Sequence, residues 1–537
     1  MMIAASEGPA ARPAARPRRF RHASGVALAL LAAAALAGGC LPTLARAQET
    51  AKSAAMEARV EALIPALEDY IRSGMKAYDM PGLAIGIVAG DRLVYAKGFG
   101  VRGKGGAPVD TRTVFQIGSV TKGFLATTLA IAVDRGRLNW DDRVIDLYPG
   151  FALKDPWVTR EFRAFDLLAQ RSGLPAYAND LVRRLDYPVA AAIRSLRHVE
   201  PVSSFRTTFA YTNITHMLAG RIVSKLAGAS DWNALAQREL IEPLGMAETS
   251  FTDAAIKAAP DHAQGHRWTA EGTTEVPLEP LFPYGFGAAG DINSTVEDMA
   301  RWIRLQLGHG SFEGRRIVSA KSLATTRLPK VAIDERMSYA MGWIVARTPN
   351  GTMVWHNGDT LSFGAFLGLL PDRDVGLVVL SNAANAGLPD GVGAWALDRL
   401  MDNPEVDYVA DALKHAKARL AADDKRFAQP AHPRPFPALA PLAGSFSSPT
   451  FGKGVLRADG GALVLALQET GAELALTPWD GDVFTLRVLP HGRFAPMLAP
   501  LGDGPMGFAQ FTAGKDGTLD VLRLTLDDGQ AYEFRRQ

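Results

Sequence analysis

The sequence predicts an α+β fold: an antiparallel sheet flanked by helices with a helical insert, followed by a small all-β domain. Two observations carry this prediction. Strand patterns joined by short turns imply antiparallel pairing, and the helices are segregated around them. After a proline-rich stretch, the pattern changes to short alternating apolar runs. The chain of 537 residues is too long for one core, and 47% hydrophobic and 21% charged residues are typical of a globular protein.

The N-terminal segment has the composition of an export signal. Residues 26–37 form an apolar run of Val, Ala and Leu, and Ala45-Arg46-Ala47 is a small-x-small cleavage site. The apolar run is too short to span a bilayer as a mature anchor. Five arginines precede it: Arg12, Arg16, Arg18, Arg19 and Arg21. This arrangement predicts a secretory signal peptide over 1–47 and a periplasmic or secreted protein.

Two variants of this export signal stay open. Cys40 follows Leu36-Ala37-Gly38-Gly39, which loosely resembles a lipoprotein cleavage box that would give a lipid anchor, although Ala37 stands where a larger apolar residue is usual. Arg18-Arg19 is also a weak match to a twin-arginine signal. Cleavage after Ala47 would remove Cys40, the only cysteine, so the mature protein would have no disulfide and no thiol chemistry.

The slight basicity of the chain belongs to this leader. The whole chain carries a formal charge of +2, and six arginines and one glutamate give the leader +5, which leaves −3 for the mature protein. This charge predicts no nucleic-acid partner. Contact with a membrane is expected only through the export signal or a lipid anchor at Cys40.

The pattern along the chain predicts the elements in order. The first half contains a helix at ~53–77, strands at 83–88 and 93–96 around Gly90-Asp91, and a helix from Ser119 to Gly136. Residues ~140–330 read as a helical insert. Within it, Ser294 and Glu297 form a capping-box pattern ahead of a helix.

Strand patterns return after the insert. They lie at 340–345, 353–356, 364–370 and 375–380, with turn signals at 349–351, 357–358 and 371–372, and a helix is expected at ~404–427. The chain then divides into a main domain over 48–428, a proline-rich linker over 429–437, and an all-β barrel or sandwich over 438–537.

Ser119 and Lys122 form a Ser-x-x-Lys pattern at the start of a predicted helix. Residues three apart share one helical face, so the amine can reach the hydroxyl. A serine hydroxyl needs an adjacent base to become a good nucleophile. Lysine serves as that base when burial and nearby positive charge lower its pKa. On its own, the pattern also fits a helix cap followed by a solvated lysine.

Two further motifs follow in the chain. Tyr211-Thr212-Asn213 precedes a helical segment, and His356-Asn357-Gly358 ends a strand. Taken singly, these residues are more often a core tyrosine, a turn asparagine and a strand-end histidine. Together, Ser-x-x-Lys, Tyr-x-Asn and His-x-Gly occur in the order that is typical of the penicillin-recognising serine hydrolases.

Framing segments strengthen this resemblance. Leu167-Leu168-Ala169-Gln170-Arg171-Ser172-Gly173-Leu174-Pro175, Pro243-Leu244-Gly245-Met246 and Gly342-Trp343 are similar to blocks of the same superfamily. The match covers ~60–400. The superfamily includes class C β-lactamases, D,D-peptidases, family VIII esterases and D-aminopeptidases, and many bacterial members carry an appended β domain.

The resemblance implies a role for each residue. Ser119 would attack the carbonyl carbon and become acylated, and Lys122 would accept or relay its proton. Tyr211 would act as a phenolate-like or hydrogen-bonding base, and Asn213 would bind the substrate amide or Lys122. The backbone N–H groups of Ser119 and Asp359 would form the oxyanion hole.

The His-x-Gly-Asp segment departs from the β-lactamase pattern at two positions. His356 replaces a lysine that contacts a substrate carboxylate in most β-lactamases, and it is expected to be charged only part of the time at neutral pH. Gly358 and Asp359 follow at the substrate-binding edge, where the family usually has a small residue in place of Asp359. An acid there predicts a preference for positive or neutral substrate groups.

The resulting expectation is an exported serine hydrolase that cleaves peptide or small amide bonds, conceivably linear peptides such as linearised microcystin. The alternatives are a carboxylesterase or β-lactamase of the same fold, and a penicillin-binding sensor with slow turnover. No cofactor and no metal are expected. His262 and His266 are four residues apart, but Gly265 disfavours a helix and no third zinc ligand is evident. The oligomeric state is left open.

Overall fold

A computed structural model describes residues 26–436, 438–513 and 519–537, and for residues 26–50 it describes only the backbone. The described part of the chain divides into two compact units between Ala55 and Met56. Residues 1–25 lie outside the described part, so the signal peptide, the lipid anchor and the twin-arginine signal stay predictions. No helix in the described part of the chain is both long and apolar enough to cross a membrane.

Helices and strands follow one another along the described part of the chain. The helices are α1 Val26–Tyr78, α2 Thr121–Asp134, α3 Val144–Leu147, α4 Pro156–Glu161, α5 Asp180–Arg184, α6 Val189–Ser195, α7 Asn213–Ala227, α8 Trp232–Ala236, α9 Glu242–Leu244, α10 Asp253–Ala258, α11 Val296–Leu307, α12 Ala320–Thr326, α13 Leu388–Leu400, α14 Tyr408–Phe427 and α15 Ala495–Leu501. The strands are β1 Gly82–Ala89, β2 Arg92–Gly100, β3 Phe115–Gln116, β4 Gly265–Thr269, β5 Gly272–Val276, β6 Asn293–Ser294, β7 Ser311–Phe312, β8 Arg315–Arg316, β9 Val331–Ala332, β10 Met337–Tyr339, β11 Ile344–Thr348, β12 Gly351–Asp359, β13 Gly364–Leu370, β14 Val375–Ser381, β15 Gly444–Ser448, β16 Gly452–Asp459, β17 Ala462–Leu467, β18 Glu473–Asp480, β19 Val483–Val488, β20 Gly507–Ala513, β21 Leu519–Leu526 and β22 Ala531–Arg536.

A central antiparallel sheet organises the main domain. Its strands lie in the order β2-β1-β14-β13-β12-β11-β10-β9. Successive side chains of a strand point to opposite faces. Ile85 and Ile87 of β1 therefore pack in the same core cluster as residues of α1, α13 and α14, whereas Ala84 and Val88 join the cluster that contains Phe124 of α2 and Trp302 of α11. This arrangement confirms the predicted α+β class.

The C-terminal domain is a closed antiparallel barrel of the strands β15 to β22. Its alternating apolar residues face inward and are fully buried, as the sequence pattern predicts. Examples are Phe446, Leu465, Phe484, Leu524 and Phe534. Of the two architectures that the alternation predicts, barrel and sandwich, the structure shows the barrel.

Several local predictions are wrong, and the strand expected at 340–345, for example, is Ile344–Thr348. Thr295, rather than Ser294, caps α11, because its side chain accepts the Asp298 N–H and Ser294 is already paired in β6 with Phe115. Glu297 does not close a capping box, since its carboxylate accepts from the Thr111 hydroxyl.

Asn357-Gly358 is not a turn. The two residues lie inside β12, where they pair with Phe366 and Ala365 of β13. Gly358 is required there by close packing, because a Cβ atom would lie 2.0 Å from the Ile117 carbonyl oxygen.

Helix α13 is absent from the sequence prediction, and α14 begins at Tyr408 rather than near residue 404. The start of α13, Leu388-Pro389-Asp390-Gly391-Val392-Gly393, has the composition of a loop. Proline is nevertheless well tolerated in a first helical turn. The glycines allow close packing, since a Cβ atom on Gly393 would lie 2.1 Å from Phe366 and one on Gly391 would lie 2.9 Å from Val409.

Candidate active site

Ser119 lies in a short 3₁₀ turn, Gly118–Val120, that leads directly into α2. Gly118 has a φ of +51°, a conformation that glycine adopts without strain, and a Cβ atom there would lie 2.9 Å from the Asp359 nitrogen. The two glycines, Gly118 and Gly358, therefore let this turn and the end of β12 approach each other closely. The Ser119 side chain remains partly accessible at this junction.

Lys122 is fully buried one turn into the helical segment. Its Nζ atom lies 3.0 Å from Ser119 Oγ, 2.8 Å from Asn213 Oδ1 and 2.7 Å from the Ala289 carbonyl oxygen. Burial lowers the pKa of Lys122 to about 7, with the charge of Asp180 acting in the opposite direction. A neutral amine has two N–H groups for Asn213 and Ala289, which leaves its lone pair for the Ser119 hydroxyl.

Asn213 begins α7 and is held by a carboxyl group that the sequence analysis did not single out. Its Nδ2 atom donates to Asp180 Oδ2 at 2.7 Å, so the amide has one defined orientation between Asp180 and Lys122. Asp180 is 4% exposed, and burial raises its pKa. Asp180 belongs to no local sequence motif, because its contact with Asn213 spans 33 positions of the chain.

Tyr211 lies beside both members of the Ser-x-x-Lys pair. The Lys122 Nζ atom is 4.8 Å from the centre of the tyrosine ring. Burial holds the pKa of Tyr211 well above its ordinary value, an effect that the contact with Ser119 partly offsets. The phenol is therefore protonated at neutral pH.

His356 lies on β12 and is 1% exposed. Its Nδ1 atom lies 2.6 Å from the Asn357 carbonyl oxygen, which identifies Nδ1 as the protonated nitrogen. Nε2 is then the acceptor for the Tyr339 hydroxyl at 3.0 Å. Burial, together with the nearby Lys122, lowers the pKa of His356 to about 3. The expectation that this ring is charged part of the time at neutral pH is wrong, because desolvation disfavours the imidazolium.

Asp359 ends β12 and, unlike His356, is exposed to solvent. Its Oδ1 atom accepts the Asn385 backbone N–H at 3.0 Å. Desolvation raises the pKa of Asp359 to about 7, and the charge of Asp390 acts in the same direction, whereas the Asn385 N–H and the charges of Arg419 and Arg184 lower it. The edge of the site thus carries both acidic and basic groups.

These residues surround one cavity of about 680 Å³. Five of the predicted residues line it directly, and they are Ser119, Tyr211, Asn213, His356 and Asp359. Lys122 and Gly358 are buried beside it. Further lining residues that the sequence analysis did not name include Tyr177, Asp180, Arg184, Tyr339, Asn385 and Arg419. The motifs at 119–122, 211–213 and 356–359 are therefore brought together as the resemblance implies.

The Nδ1 atoms of His262 and His266 contact the carbonyl oxygens of Ala259 and Asn382, at 2.6 and 2.8 Å. In the described residues, no group of three His, Cys, Asp or Glu side chains is placed to hold a metal ion.

Comparison with known proteins agrees with the geometry. The sequence profile of the beta-lactamase family matches residues 67–400. This chain belongs to the beta-lactamase family. The family consists of serine hydrolases related to penicillin-binding proteins, which accounts for the Ser119–Lys122 pair and the surrounding cavity.

Individual relatives support this assignment. Penicillin-binding protein 4 of Amycolatopsis lactamdurans is 28% identical over 385 residues, which cover 69% of this chain and 93% of the relative. An unguisins hydrolase of Aspergillus campestris is 24% identical over 489 residues, with coverage of 84% and 88%. The octameric penicillin-binding protein homologue from Pyrococcus abyssi has a similar fold, with a TM-score of 0.57 and 23% identity over 88% of this chain and 99% of that one.

Proposed function

We propose that this protein is an exported serine hydrolase that cleaves peptide or small amide bonds through an acyl-enzyme on Ser119. One observation carries the proposal: a fully buried Lys122 amine lies 3.0 Å from the Ser119 hydroxyl and has a pKa lowered to about 7. A base with a pKa near the working pH is suited to proton transfer. The unguisins hydrolase supports the hydrolytic assignment, since it aligns over most of both chains.

The proposed reaction begins when the Ser119 oxygen attacks the substrate carbonyl carbon. Lys122 accepts the hydroxyl proton, and Asn213 and Ala289 orient its nitrogen for this transfer. The protonated Tyr211, which lies beside Lys122, donates its hydroxyl proton to the leaving amine and recovers a proton from Lys122, a role that its raised pKa favours over that of a phenolate. Water then hydrolyses the acyl-enzyme.

The proposed oxyanion hole consists of the backbone N–H groups of Ser119 and Asp359. Gly118 and Gly358 support this assignment, because they allow the two segments that carry these N–H groups to approach each other. Loss of one such donor typically reduces the rate by about 10²–10³-fold.

A panel of chromogenic substrates tests the reaction class. Wild type and Ser119→Ala are compared on D- and L-amino acid anilides, p-nitrophenyl esters and nitrocefin, with intact-mass measurement of any covalent adduct. Steady turnover of an anilide with a Ser119 adduct supports the proposal. Ester or nitrocefin turnover without anilide turnover would instead favour a carboxylesterase or a β-lactamase. Full activity of Ser119→Ala would contradict a reaction through Ser119 for every one of these substrate classes.

A penicillin-binding sensor is the candidate from a different functional class, and the relationship to penicillin-binding protein 4 favours testing it. A sensor is acylated but deacylates slowly. A burst of product followed by a stall, together with stable labelling by a fluorescent penicillin, would identify the sensor. Continuous turnover after the first equivalent of product would exclude it.

Asp359 is proposed to shape the choice of substrate. In its ionised form, the Asp359 side chain at the cavity edge would attract an amine and repel a carboxylate, and the charges of Arg419 and Arg184 favour that form. Matched substrates with an amine or a carboxylate at this end are compared with wild type and Asp359→Ala. The variant should lose the preference for the amine. An unchanged preference would contradict this role. Linear peptides such as linearised microcystin belong in the same panel.

Export is proposed from the leader at 1–47. N-terminal sequencing of the mature protein from a periplasmic fraction should find Gln48, and a Cys40→Ser variant should behave as wild type does. Retention of Met1 in the cytoplasm would contradict export. Membrane attachment that is lost in Cys40→Ser would identify the lipid-anchored form.

A further inference from the structure

A short turn of the main domain lies between the barrel and the active site and contacts both. Residues 176–179 lie between the Ser172-Gly173-Leu174-Pro175 segment and α5, and they carry Tyr177 into the cavity. Tyr177 and Asn179 have φ values of +57° and +59°. Left-handed backbone is unfavourable for residues other than glycine, more so for tyrosine than for asparagine, so contacts from outside the turn help to hold its shape.

Gln530 of the barrel supplies these contacts. It lies in the turn between β21 and β22 and is 5% exposed. Its Oε1 atom accepts the Asn179 backbone N–H at 2.8 Å, and its Nε2 atom donates to the Tyr177 carbonyl oxygen at 2.8 Å. Asp528 and Tyr532 hydrogen-bond to the same amide and fix its orientation. The same Nε2 atom also lies 3.4 Å from the Ala176 carbonyl oxygen, so one barrel side chain contacts three backbone groups of the turn.

The same turn is tied to the catalytic residues on its other side. The Tyr177 N–H donates to the Tyr211 carbonyl oxygen at 2.6 Å. Asp180, the next residue after Asn179, accepts from Asn213, which in turn accepts from Lys122. A continuous set of contacts thus leads from the barrel to the amine beside Ser119.

We propose that Gln530 is a positioning residue that holds the 176–180 turn in place and thereby orients Asp180, Asn213 and Lys122. The barrel is then part of the structural support of the active site rather than an independent appendage. This inference rests on the proposed function, since it assigns Gln530 an effect on the reaction at Ser119.

The charged groups around Lys122 and Asp180 determine how the pKa of Lys122 should change. Burial lowers the pKa of Lys122 and the charge of Asp180 raises it. The other titratable groups that face this amine are Tyr211, His216 of α7 and His356 of β12. Asp180 is faced by Arg184 of its own helix, by Lys122 of α2 and by Asp528 of the barrel. If the turn relaxes, Asp180 withdraws from Asn213, and the pKa of Lys122 should move downward because its stabilising negative charge is lost.

The test compares wild type with Gln530→Met and Gln530→Glu. The first keeps the volume of the side chain without its hydrogen bonds. The second keeps the acceptor for Asn179, loses the donor to Tyr177 and repels Asp528. Gln510→Met is the matched control, because Gln510 is an exposed barrel glutamine whose side chain donates a hydrogen bond to Asp482 and not to the main domain.

Two measurements are made on each protein. Hydrogen exchange, followed by mass spectrometry on peptides covering 174–182, should become faster in both Gln530 variants and stay unchanged in Gln510→Met. With p-nitrophenyl acetate as the probe, kcat/KM should fall at least about tenfold, with the inflection of its pH profile shifted downward. Unchanged exchange at 174–182, or an unchanged pH profile, would overturn the inference.

Loss of barrel stability is separated from positioning by Leu465→Ala, which removes a fully buried barrel side chain. This variant should lower the Tm without shifting the pH profile. If it shifts the profile as the Gln530 variants do, Gln530 has only a structural role. If Ser119→Ala retains activity in the same assay, the proposed function fails. If Ser119→Ala is inactive and the Gln530 variants match wild type, only the inference about Gln530 fails.

Discussion

The Nζ atom of Lys122 lies 3.0 Å from the Oγ atom of Ser119, and the whole lysine side chain is buried. Burial disfavours the ammonium form, and Asn213 and Ala289 accept the two hydrogens of a neutral amine. The nitrogen lone pair is then directed at the serine hydroxyl. A helical i, i+3 spacing alone does not produce a neutral amine directed at the serine. That arrangement also requires the packing of α7 and the 284–289 segment over the amine.

The pH dependence of kcat/KM should report the titration of Lys122. Activity should rise through about pH 7, because the amine acts as a base only after it loses its proton. Lys122→Arg should lose about 10²–10⁴-fold in kcat/KM at every pH, since a guanidinium does not deprotonate in proteins. The profile is measured from pH 5 to 9. A flat profile, or an active Lys122→Arg variant, would contradict the role of Lys122.

Stability should depend on the same proton. Burial lowers the pKa of Lys122 to about 7 in the folded protein, whereas the pKa of an unfolded lysine is about 10.4. Between these values the unfolded state binds one more proton, so the free energy of unfolding of the wild type should rise with pH by up to about 1.4 kcal/mol per unit. Lys122→Met lacks this contribution.

Urea unfolding of both proteins at pH 7.5, 8.5 and 9.5 measures the difference. Other groups titrate in both proteins, so the difference isolates Lys122. The free energy of unfolding of the wild type should increase relative to that of Lys122→Met as the pH rises. Parallel curves would show that the lysine is already charged in the folded protein.

The sequence was sufficient for the parts of the site that depend on local spacing. Ser119 and Lys122 lie on one helical turn, and the order of the three motifs led to the correct family. Asp180 and Gln530 could not be found this way. Their roles arise from contacts that span 33 and 351 positions, and a single sequence contains no signal for such pairs.

The errors in secondary structure have the same origin. Ser294 has the composition of a helix cap, but its pairing with Phe115 in a two-stranded sheet leaves the cap to Thr295. Asn357-Gly358 has the composition of a turn, yet the approach of Ile117 requires glycine inside a strand. In both places tertiary packing decided between two conformations that the local sequence allows.

His356 should remain neutral across the physiological range. Its Nε2 atom accepts from the Tyr339 hydroxyl, and burial lowers its pKa to about 3. The Cε1–H resonance of His356, assigned by comparison with His356→Gln, should not shift between pH 5 and 8. In Tyr339→Phe, the freed nitrogen should become easier to protonate and the resonance should begin to titrate. A wild-type titration near pH 6.5 would contradict the neutral state.

Gly358→Ala should separate the nucleophile from the end of β12. A Cβ atom at this position would lie 2.0 Å from the Ile117 carbonyl oxygen, so either the strand or the Gly118–Val120 turn must move. Overpacking of this kind costs about 1–3 kcal/mol, and the displaced Ser119 should react at least about 10²-fold more slowly with an activated ester. Gly105→Ala is the control, because a Cβ atom there meets no atom within 4 Å. Thermal unfolding and the rate of Ser119 acylation are measured for both variants. If Gly358→Ala reacts as fast as Gly105→Ala, the close approach of the two segments does not position the nucleophile.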